Sequence, residues 1–209
     1  MDATPAPPVS EPRRIVIGIS GASGSIYGIR LLEALREAPG VETHLVISAA
    51  GKLTLALETG RSVAEVNALA HHVHDERDIG ASIASGSFRT AGMVVAPCSM
   101  RTLSAIVNSL SDNLLTRAAD VVLKERRRLV LLFRETPLHL GHIRNMLAVT
   151  EAGGVVMPPV PAFYNRPDSI DAMVTATVCR ALDLFDIDVG RLARWGEDIP
   201  TRPPRPAAG

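Results

Sequence analysis

The run IVIGISGASGSIYGIR, residues 15–30, limits what this chain can become more than any other stretch. An apolar segment, Ile15 to Ile19, meets five small residues, Ser20-Gly21-Ala22-Ser23-Gly24. A helical pattern follows at once, with Ile29, Leu32 and Leu35 on one stripe and Gly40 as its stop. A strand that turns on glycine straight into a helix leaves bare N–H groups and the positive end of the helix dipole above the turn. Ser20, Ser23 and Ser25 add hydroxyls. The spacing predicts an anion site, suited to a phosphate-bearing ligand such as a nucleotide. The glycines fall at 18, 21 and 24, so neither the dinucleotide fingerprint nor the P-loop is matched. A turn tightened only for packing is the alternative that this stretch leaves open.

The rest of the chain alternates strands and helices around that opening. Val41 to Ser48 reads as a second strand, and Ala49 to Glu58 as a helix with Leu53 and Leu57 on one face. The polar stretch from Arg61 to Ser87 is less regular. Met93 to Pro97 is a continuous apolar strand, followed by a helix from about Leu103 and an Asn/Ser/Asp loop, 108–113. Leu114 to Arg127 reads as a helix, Leu129 to Phe133 as a strand and Gly141 to Glu151 as a helix. A short strand from Val155 to Met157 and a last helix, capped by Ser169 and running to about Leu184, complete the pattern. This order predicts a Rossmann-like (flavodoxin-like), three-layer, doubly wound α/β fold with a mostly parallel sheet. In such sheets ligands sit beyond the carboxyl ends of the strands. That rule singles out Ser23, Ser48, Ser99 to Thr102, Arg134-Glu135 and Phe163-Tyr164.

Composition narrows the function. A chain of 209 residues with 46% hydrophobic content predicts one domain, 13–198, between Pro-rich tails at 1–12 and 199–209. Lys and Arg number 22 and so do Asp and Glu, so no global field recruits nucleic acid or an anionic membrane. Aromatics at 3% argue against base-stacking surfaces. No apolar run reaches membrane-spanning length, and the expected location is the cytoplasm. Cys98 and Cys179 form no C-x-x-C, and His71, His72 and His74 have no second cluster of suitable spacing, so no metal site is expected. The histidines read as a solvated helix end.

Several constellations carry possible chemistry. Ser99-Met100-Arg101-Thr102 repeats the strand-to-helix device of the first loop, as a second grip on the ligand or as an ordinary cap. Arg117 and Lys124 share a helix face with Asp120 between them, either a solvated ladder or a phosphate grip. Arg134 and Glu135 end a strand, as an acid–base group beside a cation or as a structural pair. Cys98 reads as a buried small hydrophobe in preference to a nucleophile. Glu58, Tyr164 and Arg180 say little alone.

Taken together, these residues resemble the flavin prenyltransferase (UbiX-type) family from about Arg14 to Glu197. The resemblance rests on Ser20 to Gly24, Pro97 to Thr102, Arg117 to Asp120 with Lys124-Glu125, Arg134 to Leu138, Met157-Pro158-Pro159, Ala162-Phe163-Tyr164 and Arg194-Trp195-Gly196. It implies a homo-oligomer, a dodecamer with active sites between subunits. It also implies metal-free transfer of a dimethylallyl group from dimethylallyl phosphate to N5 and C6 of reduced FMN. The product, prenylated FMN, would serve a UbiD-type decarboxylase. The resemblance implies that FMN is held by Gly21, Ala22, Ser23, Ser48, Ser99, Met100, Arg101, Thr102 and Arg134. Arg117, Lys124, Glu135, Tyr164 and Arg180 would surround dimethylallyl phosphate, with Trp195 lining the prenyl pocket. Ser23, Glu58 and Glu135 would act at the reacting atoms. At 101 the family varies, so a role there rests on the backbone. Two other readings share the flavin turns. A flavin-dependent cysteine decarboxylase would present a catalytic His in place of the Lys124 and Arg134-Glu135 set, and an FMN carrier would not need Arg117, Lys124, Glu135 and Arg180 together.

Overall fold

The computed structural model describes residues 12–190, 194 and 196–199. Trp195 and almost all of the two tails read at 1–12 and 199–209 lie outside the described residues. Six strands form one sheet in the order β3-β2-β1-β4-β5-β6, every pair parallel. They are β1 Arg13–Ile19, β2 Val41–Ile47, β3 His72–His74, β4 Gly92–Cys98, β5 Arg128–Phe133 and β6 Val155–Val156. The chain runs outward from β1 to β3, returns, and runs outward the other way from β4 to β6. The order therefore reverses between β1 and β4, which opens a crevice at their carboxyl ends.

Strand alternation sorts the core into two layers. Ile15, Ile17 and Ile19 point to one face, where they meet Ile29, Leu32 and Leu35 of α1 (Ser25–Arg36), Leu55 of α2 (Ala49–Thr59) and Val66 of α3 (Val63–Asn67). Val16, Met93 and Val95 point to the other, against α4 (Met100–Val107), α5 (Leu114–Lys124) and Val149 of α6 (Leu140–Glu151). The last helix, α7 (Ile170–Asp183), packs beside α1. The predicted stripe on α1 is fully buried.

Two local expectations need correction. On α2 the buried pair is Gly51 and Leu55, four residues apart, so Leu53 and Leu57 face outward at 64% and 78% exposure. The residues His72 to His74 form an edge strand, not a helix end, because they pair in register with His44 to Val46 of β2. Burial holds the His44 imidazole down at about 4, so this ring is neutral.

The close approach of α1 to the sheet needs a glycine. A Cβ on Gly28 would stand 2.4 Å from the Ala96 carbonyl oxygen and 2.7 Å from Ile19 Cγ1, where α1 crosses β4 and β1. Both neighbours belong to the buried sheet and cannot give way cheaply. Gly28→Ala is expected to destabilise the fold by about 1–3 kcal/mol, as overpacking does. Thermal denaturation should show a midpoint lowered by about 2–4 °C per kcal/mol for a chain of this size; an unchanged midpoint would show that α1 can lift freely.

Candidate functional site

The crevice is built from the turns that follow β1, β2 and β4. Ser20, with no exposed surface, joins two of them. Its hydroxyl donates to the Pro97 carbonyl at 2.8 Å and accepts from the Ser99 N–H at 2.8 Å. Its own N–H reaches Pro97 O at 3.2 Å. The serine expected to offer its hydroxyl to a ligand is therefore a structural tie. Ser25 is also buried, and its Oγ has no hydrogen-bond partner among the described residues. Of the three serines only Ser23 is exposed.

The anion above the first turn belongs to the protein. Gly24, at φ +105, ends the loop, and the Glu58 carboxylate accepts from the Gly24 N–H at 2.9 Å and the Ser25 N–H at 3.1 Å. Burial pushes the Glu58 carboxyl up, but hydrogen bonds from the Ser23 side chain and those two N–H groups, with the Arg134 charge, hold it below the usual range. Glu58 thus caps α1 in place of the expected phosphate, and it draws Ser23 and Arg134 into one constellation.

The free anion-binding groups lie one turn away. A cleft of about 510 Å³ is lined by Gly21, by Ser48, Ala49 and Ala50 at the start of α2, and by Ser99, Arg101 and Thr102 at the start of α4. Leu115 of α5, its cap Asn113, Asp112, and Glu76 and Arg77 complete its wall. Ser48 caps α2 by accepting from Gly51 N at 3.0 Å, and Ser99 caps α4 by accepting from Thr102 N at 3.2 Å. The N–H groups of the first helical residues, Ala49 and Ala50 on α2 and Met100 and Arg101 on α4, are left without intrahelical partners. Two helix dipoles therefore converge on one space. On α5 the first N–H, that of Leu114, is already given to the Glu76 carbonyl at 2.7 Å. Arg101 pairs with Asp112 at 2.6 Å, so its contribution to the cleft is its backbone and a neutralised rim.

Other sequence-predicted residues are not brought to this cleft within one protomer. Met100 turns its side chain against the second core layer, and Ala22 is buried. Arg117 reaches back from α5 to the Ala84 carbonyl at 3.3 Å and pairs with Asp120 at 3.0 Å. Lys124, two turns on, pairs with Glu125 at 2.6 Å and not with Asp120. Tyr164 and Arg180 border a separate small recess with Met157 and Pro158, and Arg180 pairs with Asp183 at 2.6 Å. Glu135 accepts from the Thr136 N–H at 3.0 Å, and among the described residues no ion pair joins it to Arg134. Cys98 is wholly buried, and burial pushes its thiol far up, which leaves it inert. Sequence reasoning missed Glu76, Arg77, Asp112 and Asn113. The one signal for them in the sequence is Asn113 three residues before Thr116, a helix-cap spacing.

Comparison with known proteins places this geometry. The Flavoprotein family model matches residues 5–181. The flavin prenyltransferase UbiX of Escherichia coli is 61% identical over 185 residues, covering 88% of this chain and 98% of that protein. The crystal structure of AnUbiX in complex with FMN and dimethylallyl pyrophosphate superimposes with a TM-score of 0.86 at 53% identity, covering 88% of this chain and 97% of that one. A dodecameric FMN-dependent UbiX-like decarboxylase from Escherichia coli gives 0.85 at 50% identity, over 87% and 98%.

The Glu58 cap has a pH signature. A carboxyl whose folded pKa lies below its ordinary 4.5 contributes stability that is complete above that value and is lost as pH falls through the folded one. Glu58→Gln removes this titration while keeping one acceptor oxygen. Melting temperatures followed from pH 6 down to pH 3 should therefore fall less steeply for the variant than for the wild type. Parallel curves would mean that the carboxylate gains nothing from the α1 N-terminus.

Proposed function

The chain belongs to the flavin prenyltransferase (UbiX) family, and from that premise we propose how its residues divide the work. The protein is a flavin prenyltransferase acting on FMN. Donor and acceptor are proposed to be dimethylallyl phosphate and the N5 and C6 positions of reduced FMN, without a metal ion, the product passing to a UbiD-type decarboxylase. The observation that carries the reading is the cleft at the β1/β4 switch point, with two open helix N-termini on one side and the Ser23–Glu58 pair beside it. Its volume lies within the usual range for a small-ligand site. The bare N–H groups suit the phosphate of FMN, and Gly21, Ser48, Ser99 and Thr102 fit the role of its cradle.

Ionisation of an allylic phosphate builds positive charge on carbon and negative charge on the leaving group, so the leaving group must be met by fixed cations in a dry site. Bound reduced flavin supplies the nucleophilic ring that the prenyl group joins. Arg117, Lys124 and Arg180 carry the required positive charge, with Tyr164 beside Arg180. In this reading Glu135 would hold a proton for the departing phosphate, and the Ser23 hydroxyl one beside the flavin, with the ionised Glu58 as its acceptor. Arg134 balances the charge of Glu58. Because Arg117 and Lys124 stand on a different face from the Arg180 recess, these cations can converge only if neighbouring copies contribute them. Exposed apolar residues on α2 (Leu53, Leu57) and on α6 (Leu140, Ile143, Leu147) offer surface for such contacts. A homododecamer is the assembly proposed.

The direct test incubates the protein with reduced FMN and dimethylallyl phosphate in the presence of a chelator and weighs the flavin. One added dimethylallyl unit is expected; unmodified FMN would reject the reading. Glu135→Gln should lower turnover by about 10²–10⁴-fold, the usual worth of a general acid–base group, while FMN affinity is nearly unchanged. If Glu135 is only structural, the melting temperature should fall and turnover of the folded fraction should persist. Assembly can be probed separately. Leu57→Asp places a charge in the proposed contact, and light scattering should report a smaller particle with the protomer still folded.

A further inference from the structure

One polar cluster lies outside the chemistry above. On β2, Glu42 and His44 are two residues apart and so share a face of the sheet. On β3, His72 and His74 repeat that spacing, and the parallel register sets His72 beside His44. The result is a staggered patch of one carboxylate and three imidazoles, two on each strand, at the sheet's outer edge. His44 Nε2 and Glu42 Oε1 are 2.9 Å apart, and His72 Nε2 lies 3.3 Å from the same oxygen. One ligand atom from each of Glu42, His44 and His72 falls within 4.8 Å of the other two.

We propose that Glu42, His44 and His72 form a binding site for a divalent transition metal of the zinc class, which clips the edge strand β3 to β2. Metal–ligand bonds of about 2.0–2.1 Å in a tetrahedron hold neighbouring donor atoms about 3.3 Å apart. The two histidine–carboxylate pairs already stand near that spacing, and the His44 and His72 rings, stacked at 4.6 Å, turn toward each other to aim both nitrogens at one ion. Two imidazole nitrogens and one carboxylate oxygen select zinc, cobalt, nickel or copper over magnesium and calcium, which prefer oxygen alone. With three protein ligands the fourth position is open to water, and the exposed His72 provides the way in.

The surroundings support the ligands. His44 Nδ1 lies 3.0 Å from His74 Nε2. In the metal-bound tautomer His44 donates its Nδ1–H to that nitrogen, which fixes the ring and turns the Nε2 lone pair toward Glu42, as the outer-shell partners of metal-binding histidines do. Arg14 Nε donates to Glu42 Oε1 at 3.3 Å, with its guanidinium over the Phe88 ring. It steadies the carboxylate and sets an electrostatic cost on the incoming dication. His71 is not a ligand, since its Nδ1 is engaged with Thr43 on the other face. The cluster sits about 13 Å or more along β2 from Ser48, at the rise of an extended strand, so it is separate from the cleft. Its link to the cleft is mechanical. Two of the wall residues, Glu76 and Arg77, follow β3 after one residue, Asp75.

The test uses untagged protein stripped with a chelator and dialysed. Titration with Zn²⁺ by calorimetry should show one ion per protomer and a raised melting temperature, and Co²⁺ should give the visible absorption bands of a four-coordinate site. His72→Val removes an exposed ligand without disturbing the core and should abolish both signals; Glu42→Gln should do the same. His74→Asn should weaken binding about 10–100-fold, the usual cost of losing an outer-shell partner. Prenyl transfer by His72→Val should match that of the wild type. No stoichiometric binding by the wild type, or equal binding by His72→Val, overturns the proposal.

Discussion

The arrangement depends on the Ser20 hydroxyl more than on any other single group. It lies at the topological switch point, where neighbouring strands send their chains to opposite faces and nothing covalent holds the two turns together. By donating to the Pro97 carbonyl and accepting from the Ser99 N–H, it closes that gap with two hydrogen bonds inside the core. Buried bonds of this kind contribute roughly 0.5–1.5 kcal/mol net, and more is lost when one partner is left unpaired. The consequence for the site is geometric. With Ser99 N committed to Ser20 and Ser99 Oγ committed to Thr102 N, the start of α4 has one orientation, and its remaining N–H groups have one direction in which to point.

Electrostatics then separates two helix ends that look alike in sequence. Both α1 and α4 follow a strand through small and hydroxyl residues. At α1 the end is closed by Glu58, carried in from the far end of α2. At α2 and α4 the caps are short serines, which satisfy one N–H each and leave the others free. A fixed carboxylate thus stands next to open anion-binding ends. In the proposed reading this puts a proton-accepting group beside the flavin and keeps the phosphate grip a turn away from it.

What the sequence made legible follows from the range of each interaction. The long strands and helices, the α1 stripe and the cap by Ser169 depend on neighbours within four residues, and they could be read directly. Glu58 could be singled out, but its partners are 34 and 33 residues away, so its capping role could not be seen. The same holds for Leu53 and Leu57, because which face of α2 docks was decided by Gly51 fitting against the Ile19 carbonyl. His72 and His74 looked isolated because their complement, Glu42-x-His44, lies 30 residues earlier on a strand that only the parallel pairing brings alongside. Of the candidate site, the small-residue turns were legible and the pairing of cations was not. Arg117, Lys124 and Arg180 each sit beside a nearby acid within one protomer.

Those pairs bear on how a phosphate site could be assembled. A cation already matched with Asp120, Glu125 or Asp183 on an exposed helix face contributes little field, because water and the partner screen it. In the proposed reading the same pair becomes a strong anion grip once a neighbouring copy excludes water, since the local dielectric falls and each guanidinium or ammonium keeps donors beyond those its carboxylate uses. The exposed leucines and isoleucines on α2 and α6 supply the apolar area that such exclusion requires. Burial of the interface and activation of the site are then one event in the proposed reading. On that reading a lone protomer would keep the cleft, yet lack the dry, convergent charge that an allylic phosphate needs in order to leave.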